Sequence, residues 1–281
     1  MQISNGDVAV ITGAGSGIGR ALAVHAASIG MRVVAADIEA PNLDETVALI
    51  TSEGGTAIAV QTDVSVPEAV ESLAAAAYDT YGDVHLLCNN AGVFSGGFLW
   101  ERTLADWNWV MGVNLYGIVH AINSFVPRMI AVGHAAHIVN TASMGGLITN
   151  GYSGPYYTSK FAAVGVSECL AHDLRGAGTE IGVSVLVPSL IATSIGSSDR
   201  NRPERWIDRN RERGADEEFV VAALNDSTAG GMPPAEVADI VFDAVAHDQF
   251  WIPTKPSYHD QIRSRHEAMQ ELQLPPGPPI D

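Results

Sequence analysis

The chain has 281 residues, 47% of them hydrophobic, and a formal charge of −17 with histidines neutral. That length suits one large α/β domain, and that composition supplies an ample core. So large an acidic excess argues against non-specific nucleic-acid binding and against docking on anionic lipid.

Val8 to Ile11 is an apolar, β-branched run and reads as a first strand. It leads through Thr12 into glycines at alternate positions, Gly13, Gly15, Gly17 and Gly19, and then into a helix-forming run from Arg20. Strand, glycine turn and helix together hold a dinucleotide pyrophosphate. Glycine lets the backbone approach the phosphates, and the first helical turn offers unpaired N–H groups. Alone, such a loop is a weak signal, also met in ordinary β–α turns.

Met31 to Ala36 predicts a second strand ending at Asp37. Leu43 to Glu53 reads as a helix, and Ala57 to Gln61 as a third strand closed by Thr62-Asp63-Val64. Pro67 to Tyr81 is an alanine-rich helix with proline at its start. Val84 to Leu87 predicts a fourth strand running into Cys88-Asn89-Asn90-Ala91-Gly92. A long helix is expected over Leu104 to Ile130, disturbed at Pro127. His137 to Asn140 opens a fifth strand, read as an edge. Tyr156 to Leu174 predicts a helix and Val183 to Val187 a sixth strand. Residues 190–232 break this rhythm. Ala235 to Ala246 resumes as a helix, and Phe250 to Ile252 is a last short strand. Residues 274–281, with four prolines, read as a loose tail.

Short apolar strands separated by helices predict an α/β, doubly wound parallel sheet with helices on both faces. Ligands then bind at the carboxyl ends of the strands. We expect a single domain over residues 1–273, with 190–232 inserted as a substrate lid. Cys88 and Cys169 lack metal or disulfide spacing and read as buried thiols. No leader-like segment opens the chain, and no uninterrupted apolar run reaches about 18 residues, so a soluble cytoplasmic protein without membrane contact is expected.

Asp37 ends the second strand, where a carboxylate can accept both adenosine ribose hydroxyls and would repel a 2′-phosphate. Neither Ser16 nor Ile38 supplies the cation that a 2′-phosphate needs, so NAD is preferred over NADP. Asp63 could bond the adenine edge with Val64 packed beside it, or could simply be a turn aspartate. Tyr156 and Lys160 are four apart and share a helix face. A tyrosine hydroxyl ordinarily titrates near about 10, and a nearby ammonium lowers that value. Such a tyrosine can take an alcohol proton while hydride leaves the same carbon. Ser143 follows the fifth strand, where its hydroxyl could hold a substrate oxygen.

Together these residues resemble the short-chain dehydrogenase/reductase family in its shorter, single-domain form, from about Asp7 to Trp251. Thr12-Gly13-x-x-x-Gly17-x-Gly19 is similar to the family's cofactor loop, and Asn89-Asn90-Ala91-Gly92 to its fourth-strand motif. Asn114, within Val113-Asn114-Leu115-Tyr116-Gly117, joins Ser143, Tyr156 and Lys160 to match the catalytic tetrad. The resemblance implies a Rossmann-like fold and an NAD site formed by Gly13, Ser16, Gly17, Ile18, Gly19, Asp37, Asp63, Val64, Asn90, Ala91, Gly92, Tyr156, Lys160, Pro188 and Thr193. It implies Tyr156 as acid or base, Lys160 on the nicotinamide ribose, Ser143 orienting the substrate oxygen and Asn114 holding a relay water. It also implies homodimers or homotetramers assembled through the two long helices. One departure stands out: the family's Pro-Gly after the sixth strand is Pro188-Ser189 here. Either the loop needs no positive φ at residue 189, or the site is altered.

Phe94, Phe98, Met144, Leu147, Tyr152, Leu190, Ile191 and Trp206 predict a mainly apolar substrate pocket. That favours a hydrophobic secondary alcohol or ketone, whether cyclic, terpenoid, steroid-like or aryl. Arg200, Arg202, Arg205, Arg209, Arg211 and Arg213 alternate with acids and read as a solvated, ion-paired helix in a mobile lid, or as a clamp on an anionic substrate. The alternatives carried forward are a β-ketoacyl-type carbonyl reductase and a non-catalytic dinucleotide-binding sensor. The histidines show no metal-ligand pattern, and the spacing of His134 and His137 is poor support for one, so no metal is expected. The segment Phe250 to Met269 resembles a C-terminal extension able to cover a neighbouring subunit's pocket.

Overall fold

The structure, a computed structural model, describes residues 1–209, 212–255 and 258–277. Strands β1 (Val8–Thr12), β4 (Leu86–Asn89) and β5 (Ala136–Thr141) are buried at every position. That burial is what a parallel strand between two helical layers requires. They are joined by β2 (Arg32–Asp37), β3 (Thr56–Gln61), β6 (Ile181–Val187) and β7 (Trp251–Pro253) in one parallel sheet, ordered β3-β2-β1-β4-β5-β6-β7. The expected doubly wound sheet is therefore present. The strand order reverses between β1 and β4, where Ile11 pairs with Cys88, and a crevice opens there.

The helices are α1 (Gly17–Ser28), α2 (Ala40–Ser52), α3 (Pro67–Tyr81), α4 (Leu104–Met111), α5 (Gly117–Val132), α6 (Gly154–Gly176), α7 (Ala215–Ala229), α8 (Pro234–Ala246) and α9 (His259–Gln270). Ala9 and Ile11 of β1 face one core with Leu22 of α1 and Val241 of α8. Val8 and Val10 point the other way, to Leu73 of α3 and Phe125 of α5. Strand alternation thus divides the apolar residues between two layers.

Four local readings change. β4 starts two residues later than expected, and β5 is an interior strand rather than an edge. Pro127 lies within α5 without ending it. The break in the long helix is instead a π-turn at Gly112–Tyr116. Cys88 is buried, its thiol pushed up to about 12 by desolvation, whereas Cys169 lies on an exposed position of α6. Helix α9 was not anticipated. By length and apolarity alone Leu104–Val132 could cross a bilayer, but Ala121, Phe125 and Met129 pack it into the core. Of the expected tail, residues 274–277 carry no regular structure and residues 278–281 lie outside the described residues.

Candidate active site

The loops after β1 and β4 meet at the order reversal. Gly13 and Gly17 have φ of +68° and +51°, and a side-chain carbon on Gly19 would lie 2.1 Å from the Gly13 carbonyl oxygen. The turn therefore demands glycine at these places. Ser16, at the N-cap of α1, makes no side-chain capping bond, so the first-turn N–H groups remain available to an anion. Asp37 Oδ2 accepts from the Gly15 N–H at 2.8 Å, and Oδ1 from the Glu39 N–H at 2.9 Å. Thr12 Oγ1 accepts from the N–H groups of Asn90 and Ala91, which ties β1 to the loop after β4.

Gly13, Ser16, Gly17, Ile18, Asp37, Asp63, Val64, Asn90, Ala91, Gly92, Pro188 and Thr193 all border one cavity of about 740 Å³. Gly19 lies beneath it rather than on its wall. Asp63 serves a turn and the inserted stretch 190–232 at once: Oδ1 accepts from the Ser65 N–H at 3.0 Å, and Oδ2 from Arg205 at 2.7 Å.

Tyr156 and Lys160 lie one turn apart in α6, and both border this cavity. The buried Lys160 Nζ donates to the Thr141 carbonyl at 2.9 Å and sits 5.7 Å from the Tyr156 ring centre. Burial lowers the Lys160 ammonium to about 8. Burial also pushes the Tyr156 hydroxyl up, and its hydrogen bond with Ser143 pulls the other way. The net direction is upward, opposite to the expected lowering, because desolvation of the phenolate outweighs that bond. Ser143 Oγ also accepts from the Gly145 N–H at 3.0 Å.

The π-turn aims Asn114 inward. Its Oδ1 accepts from the Val93 N–H at 2.8 Å, and its Nδ2 donates to the Val93 carbonyl and to Ser159 Oγ, both at 3.0 Å. Ser159 Oγ donates in turn to the Tyr156 carbonyl at 2.7 Å. A side-chain carbon on Gly92 would stand 3.5 Å from Lys160 Nζ and 3.6 Å from Asn114 Oδ1, so this glycine keeps open the space they share. Asn114, Ser143, Tyr156 and Lys160 are thus brought together.

Phe94, Met144, Tyr152, Leu190 and Ile191 border the cavity, as expected for the apolar pocket. Phe98, Leu147 and Trp206 do not. Phe98 stacks on Trp100, Leu147 packs beside Met144 and Ile148, and Trp206 seats against Val93, Trp109 and Val110. Ile148 also borders the cavity, as do Phe219 and Val220 from the inserted stretch 190–232. Sequence reading missed Tyr258 and Gln261 of the α9 region, where no short motif marks a pocket wall. Tyr152 has φ +65°, a strained conformation for a non-glycine residue beside a ligand site.

The arginine-rich stretch is not a solvated helix. It forms short 3-10 turns at Ile195–Asn201 and Glu204–Trp206 ahead of α7, with ion pairs into the body of the protein. Arg202 is largely buried, 2.8 Å from Asp106 and stacked 4.1 Å over Trp109. Arg205 pairs with Asp63, Arg200 with Glu39, Arg209 with Glu204, and Arg213 with Asp199. Arg211 lies outside the described residues. These pairings oppose an anion clamp made of the whole run. Arg200 also borders the cavity, as Asp37 does, a placement that local sequence did not reveal.

Ser189 has a backbone outside the left-handed region, so glycine is not required there. Its N–H donates to Thr254 Oγ1 at 2.9 Å, and its hydroxyl shares a hydrogen bond with Tyr258. His134 and His137 do not meet. His137 is buried against Ser184, while His134 joins Asp83 and His85 near the amino end of β4, away from the cavity. There His85 Nδ1 accepts from the Val8 N–H, which leaves its proton on Nε2 facing Asp7 and Asp83. That proton stands where a metal would have to bind.

Residues 7–204 match the family described as short chain dehydrogenase. A solved short-chain dehydrogenase/reductase from Burkholderia phymatum in complex with NAD is 42% identical, with a TM-score of 0.97 and 99% of each chain covered. The 1-deoxy-11-beta-hydroxypentalenate dehydrogenase of Streptomyces exfoliatus is 34% identical over 274 residues, 96% of this chain and 91% of its own. The C alpha-dehydrogenase of a Sphingobium strain is 31% identical over 269 residues, 95% of this chain and 87% of its own. The match spans the crevice, the Tyr156–Lys160 helix and the lid's first turns, and the chain belongs to the short-chain dehydrogenase/reductase family of oxidoreductases.

Proposed function

We propose that this protein transfers hydride between NAD(H) and a hydrophobic secondary alcohol or ketone, with Tyr156 as the acid/base. The observation that carries the reading is the Tyr156 hydroxyl, bonded to Ser143 and set on the same cavity as Lys160 and the glycine turn. The cofactor, when bound, supplies the hydride acceptor or donor and, when oxidised, a positive charge.

The residues present fit a dinucleotide. A carbon added at Gly17, on the cavity wall, would meet Thr193 at 2.9 Å, so this glycine keeps a narrow cradle clear; one at Gly15 would meet the Asp37 carboxylate at 2.9 Å, so that glycine lets the carboxylate seat on the turn. Gly13, Ser16, Gly17 and Ile18 would hold the pyrophosphate, and Gly19 lets the turn close beneath them. Asp37 would hold the adenosine ribose, with Asp63 and Val64 at the adenine. Asn90, Ala91 and Gly92 would line the adenosine side, and Pro188 and Thr193 the nicotinamide half. Asp37 disfavours a 2′-phosphate and supports NAD.

Ser143 would donate to the substrate oxygen while Tyr156 moves the proton at that atom. Lys160 would bond the nicotinamide ribose and stabilise the phenolate. Asn114 would place a water beside Lys160 through the second lone pair of Oδ1. The apolar wall supports a cyclic, terpenoid, steroid-like or aryl substrate, in keeping with a relative named for 1-deoxy-11-beta-hydroxypentalenate. Assembly through α4–α5 and α6 into dimers or tetramers, and a cytoplasmic setting, belong to the same reading.

The test is NAD and NADP reduction across a panel of cyclic and aryl secondary alcohols. Replacing Tyr156 by Phe is expected to cut turnover by about 10²–10⁴-fold while NADH still binds. Undiminished turnover in that variant would remove Tyr156 from the chemistry. Faster reduction of NADP than of NAD would overturn the assignment of Asp37.

A further inference from the structure

Arg200 comes from the lid, yet it borders the cofactor cavity beside the end of β2. Its Nε lies 2.8 Å from Glu39 Oε1, and its Nη1 donates to the carbonyls of Ser197 at 2.9 Å and Ser194 at 3.3 Å. Its Nη2 makes no hydrogen bond among the described residues, so one nitrogen of the guanidinium is uncommitted. Glu39 in turn donates its N–H to Asp37 Oδ1. Arg200 and Asp37 thus both border the cavity, and Glu39 links them from behind its wall, pairing with the one through its side chain and with the other through its N–H. The other nearby cation, Arg20, is committed to the Gly15 and Asn42 carbonyls, Thr46 and Glu45.

We propose that Arg200 is the cation of a latent 2′-phosphate site, held out of use by Glu39, so that Glu39 acts with Asp37 as a determinant of cofactor choice. The inference rests on the dinucleotide reading of this cavity. With both carboxylates present the local balance is one negative charge, which repels a dianionic phosphate. With Glu39 neutral, the Arg200 fork has Nε and Nη2 free together, the geometry that grips a phosphate with two parallel bonds. Glu39 itself need not touch the cofactor; it acts by occupying Arg200.

Adenosine 2′,5′-bisphosphate and adenosine 5′-monophosphate separate this proposal from the catalytic reading, because both bind without turnover. Isothermal titration is run on the wild type, Glu39→Gln, Asp37→Asn/Glu39→Gln, and each variant with Arg200→Leu added. Glu39→Gln should tighten the bisphosphate about threefold or more, and the double variant by on the order of tenfold. Adding Arg200→Leu should erase both gains. A gain that survives Arg200→Leu, or no gain in Glu39→Gln, overturns the proposal. Glu39→Gln retains Asp37 and the polar contact with Asn42, so it decides the matter should the double variant not fold. If neither nucleotide nor NADH binds the wild type, the dinucleotide reading itself fails and this inference with it.

Discussion

The hydroxyls of Ser189 and Tyr258, 69 residues apart in the chain, share one hydrogen bond at the wall of the cavity. The same serine receives the Thr254 side chain on its N–H, so the loop after β6 is fixed on two sides by the segment leading to α9. Tyr258 and Ile262 also pack toward the cluster of Met144, Ile148 and Val164 beside the site. Serine in the family's glycine position is thus a point of attachment for the C-terminal helix.

That attachment has a measurable coupling. Ser189→Ala and Tyr258→Phe each remove one hydroxyl and should each destabilise by about 1 kcal/mol, lowering the melting temperature by about 2 °C. The double variant should cost little more than either single one, because the same bond is lost once. Ser189→Gly should add the entropic cost of glycine without relieving any strain. Strictly additive losses in the double-mutant cycle would show that the two hydroxyls act separately.

The contrast between Ser189 and Asp37 explains what the sequence could reveal. Asp37, the glycine turn, and the pair Tyr156–Lys160 are short-range patterns tied to one strand end or one helix face, so spacing alone locates them. Their assembly with Ser143 at one edge follows from the parallel sheet. Asn114 was legible as a motif, but the π-turn that aims it was not, because Pro127 is the more obvious helix breaker and Gly112 is compatible with ordinary helix. Phe98 and Trp206 look like pocket residues by type, yet each finds an aromatic or apolar partner of its own. Arg205 and Asp63 stand 142 positions apart, and no local pattern announces such a contact.

Lys160 carries a cost that pH should reveal. Its ammonium titrates at about 8 in the folded protein against 10.5 ordinarily, because it is buried. Below about 8 both folded and unfolded chains hold the proton, and the penalty for burying the charge is fully present. Between 8 and 10.5 the unfolded chain binds more protons, so this penalty is relieved as pH rises. Lys160→Met removes the charge and keeps the bulk, although the Thr141 carbonyl loses a donor. At neutral pH that variant should be more stable than wild type by on the order of 1–2 kcal/mol, with turnover largely lost. The advantage should shrink steadily as pH climbs through that window. Denaturant melts of both proteins across the range measure it; a difference that is flat with pH would mean that Lys160 does not titrate there.

Arg205 reaches Asp63 Oδ2 and Ser65 Oγ, both at 2.7 Å, and its guanidinium lies 4.2 Å over the Trp206 ring. Trp206 in turn rests on Gly112, where an added side-chain carbon would come within 2.9 Å of the indole. The segment carrying Arg205 and Trp206, the proposed lid, is therefore fastened beside Asp63 at the cavity wall by a charge pair and an aromatic wedge. The arginine is nearly half-exposed, so the pair contributes only about 0.5–1 kcal/mol. Arg205→Ala should accordingly speed NADH dissociation by about two- to fivefold, and Asp63→Asn should act in the same direction. Salt screens an exposed pair, so the wild-type rate should approach that of Arg205→Ala as ionic strength rises. Stopped-flow NADH fluorescence at low and high salt provides the measurement. Equal dissociation rates for wild type and Arg205→Ala at low salt would show that the lid opens without breaking this contact.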